Sequence, residues 1–203
     1  SRPEISVLLS YCKMTLYEDI LASDLPDNDY LVADLERYFP ATLNNRLGDA
    51  IPGHSLRREI IATLVANSLV NRAGATMVAD LGEDSGLGPA DIARAYVVAR
   101  DAFGFRGLWA AIEGLDNQVP AEVQTRMNLA VGDLLRHATQ WFLHQLPPPL
   151  DIATTVAAYQ SGIAAFASDV GGMLASLESR TMRDKTKGLA RRGVPRDIAQ
   201  RGA

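Results

Sequence analysis

The chain has 203 residues, a formal net charge of −4 and 47% hydrophobic residues, enough for a sizeable buried core. A mean hydropathy of −0.01 excludes an intrinsically disordered chain, and the acidic balance argues against a general binder of nucleic acid or of anionic membranes. The single cysteine, Cys12, excludes an internal disulfide and a multi-cysteine metal site, and it fits a reducing cytoplasm.

Helical periodicity dominates, and no run alternates apolar and polar residues long enough to predict a strand. The expected fold is all-α, a multi-helix orthogonal or bundle-like array with a long helix near 120–146 and a C-terminal helical extension. The first helix is expected over about 3–22, with Pro3 and Glu4 in its first turn and Ile5, Leu8, Leu9, Cys12, Leu16 and Ile20 pointing inward. Asp24 to Asp29 reads as a turn around Pro26. Helices over about 29–39 and 41–50 follow, separated by Pro40. Pro52-Gly53 punctuates before a helix over 54–74, which Gly74 ends as a left-handed cap.

A helix over about 75–84 stops at Ser85-Gly86, and the next runs from Pro89 to Phe103 with Ile92, Tyr96, Ala99 and Phe103 as its buried stripe. A short helix over 106–117 carries Leu108, Trp109, Ile112 and Leu115, and Pro120 opens the long helix. Pro147-Pro148-Pro149 cannot continue a helix, so the chain divides into a helical core over 1–146, a proline linker at 147–149 and an extension over 150–203. Residues 150–177 are rich in Ala, Ser, Gly and Thr. This composition predicts a helix that packs closely, not a membrane span. The run Arg180 to Arg192 reads as a basic, solvated helix, and Pro195 begins another helical turn. No charged-then-apolar leader opens the chain, and both ends read as cuts through a longer polypeptide.

Few motifs carry chemistry. Gly82-Glu83-Asp84-Ser85-Gly86-Leu87-Gly88 has the wrong spacing for a dinucleotide loop, lacks a preceding strand, and sets two carboxylates against any phosphate. His137 and His144 lie about 10 Å apart along one helix, too far to share an ion. His54 reads as a residue that helps start a helix. A helix-turn-helix over 75–103 could offer Arg94 to DNA, but Asp80, Glu83, Asp84 and Asp91 crowd the approach. No catalytic, cofactor-binding or metal-binding residue is therefore assigned.

The 54–74 helix is the most distinctive stretch. At about 100° per residue, Leu56, Ile60, Leu64 and Val70 share a sector with Glu59, Thr63, Asn67 and Asn71, which is the pattern expected of a helix surrounded by others. Its buried amides would then need partners, at roughly 1–3 kcal/mol for each one left unmet. Arg57 and Arg58 sit in its first turn, where the helix dipole disfavours cations, whereas Arg72 sits favourably at the far end. An acidic partner would offset that cost, whether Glu59, another helix or an adjoining domain. Arg57, Arg58, Glu59, Asn67, Asn71 and Arg72 are thus candidate structural or interface residues, and the choice between an intrachain pair and a domain interface stays open.

The string His54-Ser55-Leu56-Arg57-Arg58-Glu59-Ile60-Ile61-Ala62-Thr63, with Asn67 and Asn71-Arg72-Ala73-Gly74, resembles the C-terminal region of the very large bacterial NAD-specific glutamate dehydrogenases. Further matches include Leu21-Ala22-Ser23-Asp24-Leu25-Pro26, Tyr38-Phe39-Pro40, Ala93-Arg94-Ala95-Tyr96 and Leu115-Asp116-Asn117. The resemblance is dense over 2–146 and looser over 150–203, where Gly193-Val194-Pro195 is the best anchor. Met77 and Gly107 depart from its pattern. The resemblance implies a parent enzyme that deaminates L-glutamate with NAD, with its catalytic lysines, aspartate and nucleotide fold upstream of residue 1. It also implies a non-catalytic helical region here, without cofactor, that packs on the catalytic domain of the same chain. The parent is expected to be a cytoplasmic homo-oligomer without nucleic-acid or membrane partners. The alternative expectation is a free-standing helical interaction or regulatory module.

Overall fold

A computed structural model describes residues 1–201, and among them every regular element is helical. In chain order these are α1 (Arg2–Ala22), α2 (Val32–Tyr38), α3 (Ala41–Leu47), α4 (Arg57–Ala73), α5 (Met77–Ser85) and α6 (Pro89–Ala102), then α7 (Phe105–Glu113), α8 (Ala121–Gln145), α9 (Ile152–Met173), α10 (Ser176–Arg191) and α11 (Arg196–Arg201). Short 3-10 turns occupy Leu25–Asp27, Asp29–Leu31 and Gly48–Gly53. The all-α expectation holds. Helix limits follow the punctuation: Pro89 opens α6, and Gly86, at φ 72°, closes α5 in the left-handed conformation that a side chain would resist.

Two compact units result. One comprises Ser1–Val97 with Thr139–Ala153, and the other comprises Val98–Ala138 with the chain from Thr154 onward. The first unit buries Leu16, Ile20, Leu35, Val65, Leu69 and Phe142 among others. The second is built on Phe105, Trp109, Ile112, Val123, Met127 and Leu135. Along α8 the buried positions Val123, Met127, Val131, Leu135, Ala138 and Phe142 recur every three or four residues, a single helical stripe.

The structure corrects three burial expectations. First, α4 is not enclosed. Ile61, Ala62, Val65, Ala66, Leu69 and Val70 form one buried stripe, while Thr63 and Asn71 are exposed. The alanines explain the difference, because small residues complete a stripe that the large aliphatics alone leave ragged. Among the described residues, α6 is the helix with a stretch buried on every side: each residue from Ile92 to Arg100 is buried, while Phe103 beyond its end is only half-buried.

Second, α1 buries Leu16 and Ile20, but Ile5, Leu8 and Leu9 are exposed and Cys12 is half-buried. Thr63, Ala66 and Asn67 of α4 share a groove with Ser10, Met14 and Tyr17, and Val70 shares one with Tyr11 and Cys12. The α1 residues that line these two grooves begin at Ser10. Third, α9 does not pack closely along its length. Ile152, Thr155 and Val156 are buried, but from Ala157 onward its residues are exposed or half-buried. Alanine, serine and glycine gain little from burial, since the stabilisation scales with apolar area at about 25 cal/mol per Å².

Candidate functional site

The first unit's charged centre is the turn Asp24-Leu25-Pro26-Asp27-Asn28-Asp29, which puts three carboxylates within six residues. Local bonds shape it. Ser23 donates its hydroxyl to the Ile20 carbonyl at 2.7 Å and accepts from the Leu25 N–H at 3.2 Å. The Asn28 side chain accepts from the Tyr30 N–H at 3.0 Å. The turn thereby points its carboxylates toward α4 and α6.

Three arginines meet them. Arg58 donates to the Asp27 carboxylate, and its second amino group reaches the carbonyls of Leu21 at 2.8 Å and Ser23 at 2.9 Å. Those carbonyls belong to the end of α1, where the last C=O groups lack helical partners and the dipole favours a cation. The position that is unfavourable to α4 is thus favourable to α1. The hydrogen bond to Asp27, helped by the nearby carboxylate charges, raises the Arg58 pKa further above its ordinary value. Arg57 reaches the Asp27 carbonyl at 3.2 Å, Asp29 Oδ1 at 3.4 Å and the Pro52 carbonyl at 3.4 Å. Arg94, 5% exposed on α6, pairs with Asp24, while its Nε finds no acceptor.

The other candidates stand apart. The Glu59 carboxylate hydrogen-bonds neither arginine, although its charge acts on Arg58; its Oε2 is buried without a hydrogen bond, and its backbone carbonyl accepts from Thr63. Asn67 is half-buried on the wall of a groove of about 310 Å³, Asn71 is exposed, and Arg72 is half-buried. Arg58 and Arg72 lie about 21 Å apart along the helix axis, so the six candidates do not form one site. His54 accepts the Leu56 N–H on Nδ1 at 3.1 Å just ahead of α4.

Sequence reasoning missed the partners. The three aspartates of the turn were read only as turn formers, and Arg94 only as a possible DNA contact. The available signal was the opposite charge of an acidic turn and of arginines that lie 28 to 70 residues away in sequence. A second cluster, in the other unit, went unnoticed. Asp101 receives two bonds from Arg100, at 2.8 and 2.7 Å, and one from Arg106 at 2.9 Å. Burial pushes the Asp101 carboxyl up, but the bonds and charges of Arg100 and then Arg106 outweigh it and hold the group below the usual range. A third pair joins His144 to Asp84 at 2.9 Å, with Gln140 also donating to that carboxylate at 3.0 Å; these bonds lower the Asp84 pKa.

A family model described as glutamate dehydrogenase, C-terminal, matches residues 1–203. The NAD-specific glutamate dehydrogenase of Halomonas elongata is 41% identical over 97% of this chain and 12% of its own length. That of Pseudomonas aeruginosa is 40% identical over 98% of the chain and 12% of its own length. The Mycobacterium tuberculosis enzyme of the same name is 32% identical over 98% and 12%. The chain therefore spans 12% of the length of the curated relatives it matches.

Proposed function

We propose, since this chain belongs to the glutamate dehydrogenase C-terminal family, that it is the non-catalytic helical portion of an NAD-specific glutamate dehydrogenase. The observation that carries this reading is the alignment of nearly all of the chain with only 12% of relatives that bear that enzyme's name. The complete enzyme converts L-glutamate, NAD and water to 2-oxoglutarate, ammonia and NADH, with its reacting groups and its cofactor held elsewhere in the longer polypeptide.

The geometry supports an architectural role. Arg57, Arg58 and Arg94 bind carboxylates and carbonyls of their own chain, and Arg100 and Arg106 bind Asp101. Guanidinium groups committed in this way hold helices in place. The portion packs against the catalytic domain of the same chain and assists assembly or regulation of a cytoplasmic homo-oligomer that engages neither nucleic acid nor membrane. Among the described residues, no helix is long and apolar enough to cross a membrane.

The experiment is an assay of NADH formation from glutamate and NAD. The 203-residue chain is expected to show no turnover and the complete polypeptide to be active; turnover by the chain alone would sink the non-catalytic reading. An upstream reading frame without a dehydrogenase segment would sink the parent assignment.

A further inference from the structure

The first turns of α1 are the least explained part of the molecule. Ile5 to Cys12 contains no charged residue, yet Ile5 is 58% and Leu8 63% exposed. By helical geometry, Ile5 and Leu9 fall with the buried Leu16 and Ile20 in a sector about 60° wide. The stripe that α4 covers at residues 16 and 20 therefore continues through Leu9, 36% exposed, to Ile5, and its cover thins toward the start of the helix. Val7, Tyr11 and Met14, all exposed, take the opposite side, and Leu8 takes one flank.

The remaining flank carries Ser6 and Ser10. Their hydroxyls donate to the carbonyls four residues back, Ser6 to Arg2 at 3.1 Å and Ser10 to Ser6 at 2.9 Å. Each hydroxyl donor is thus satisfied within the helix and need not be left in water. The whole circumference of these turns is apolar or internally bonded, the signature of a helix buried on all sides. A twofold contact buries one self-complementary patch on each copy, whereas here the apolar residues run around the helix.

We infer that residues 5–12 of α1 form a docking segment, seated in an apolar channel supplied by the rest of the longer dehydrogenase polypeptide. The inference rests on the parent reading above. The relatives supply the occupant, because 88% of their length lies outside the region this chain matches, the complement of the 12% that it covers.

The test is amide hydrogen exchange on the complete polypeptide and on the 203-residue chain, each with and without the double substitution Ile5→Glu and Leu9→Glu. In the chain alone, residues 5–11 sit on an uncovered helix end and are expected to exchange fast. In the complete polypeptide their exchange is expected to slow at least about tenfold, and the double variant is expected to restore fast exchange there. The variant is expected to lower the thermal midpoint of the chain alone only slightly, because Ile5 faces solvent and Leu9 is part exposed in it.

Equal, fast exchange in an active complete polypeptide overturns the docking segment and leaves the parent reading intact. Slow exchange in a complete polypeptide that has no glutamate dehydrogenase activity supports the segment and sinks the dehydrogenase reading instead. Protection that arises in the chain alone and grows with its concentration assigns the face to a second copy and also overturns the proposal.

Discussion

The arginines of the first unit hold aspartates that remain largely in water, whereas Arg100 and Asp101 of the second are drawn out of it. Asp29 is 98% exposed and Asp27 and Asp24 are mostly so, but the side chains of Arg100 and Asp101 are 2% and 13% exposed. The chemistry is the same in both clusters. Solvent sets its strength, since screening reduces exposed pairs to fractions of a kcal/mol, while a desolvated pair that loses one member leaves a charge that little can compensate. The first cluster gains specificity another way, because its arginines reach backbone carbonyls of α1 and of the turn as well as carboxylates.

The largest expected effect is therefore at Asp101. Asp101→Ala should destabilise the chain by about 3 kcal/mol in urea unfolding at pH 7, since it removes the shared carboxylate from Arg100 and Arg106. The pH dependence supplies a sharper check. The Asp101 carboxyl is lowered in the folded state, so its contribution is complete above the ordinary carboxylate value, about 4, and is lost as pH falls through the folded value. Asp101→Asn should accordingly flatten the acid side of the stability curve. An unchanged acid slope would mean that the Arg100 and Arg106 bonds do not favour the ionised form.

A smaller loss is expected at Arg58, whose guanidinium bridges two carbonyls of α1 and the Asp27 carboxylate. Arg58→Lys should lose most of what Arg58→Ala loses, because a single ammonium cannot span that fork of acceptors. Arg58→Glu should lower the thermal midpoint of the 203-residue chain itself, since the partners lie within it. If the chain kept its midpoint and only the complete enzyme weakened, Arg58 would belong to an interface.

How much of this was legible depends on range. Helix limits were readable because Pro89, Pro120 and Gly86 act on their own neighbours. The burial of α4 was misjudged because Ala62 and Ala66, which complete its stripe, score as neutral residues in a wheel built on large aliphatics. The stripe of α1 was read correctly as a pattern but wrongly as buried throughout, since periodicity shows which face is apolar and not how far a partner helix extends. Arg58 was singled out, but its partners Leu21, Ser23 and Asp27 lie more than thirty residues away, and two of them are backbone carbonyls that carry no sequence signal. Arg100 and Asp101 are adjacent in sequence, so helical spacing gave no reason to pair them.

The weakest contact separates burial from mere proximity most cleanly. Asp29 Oδ1 lies 3.4 Å from Arg57 Nη2, but nothing shields the carboxylate, and Arg57 keeps its bonds to the carbonyls of Pro52 and Asp27. Asp29→Ala should leave the urea midpoint unchanged at about 0.15 M salt, where the screening length is near 8 Å. A small loss should emerge only near 0.01 M salt, where that length grows to about 30 Å. A shift at physiological salt as large as that of Arg58→Ala would show that the exposed carboxylate holds Arg57 in place. The contrast between the two clusters would then lie in geometry and not in solvent.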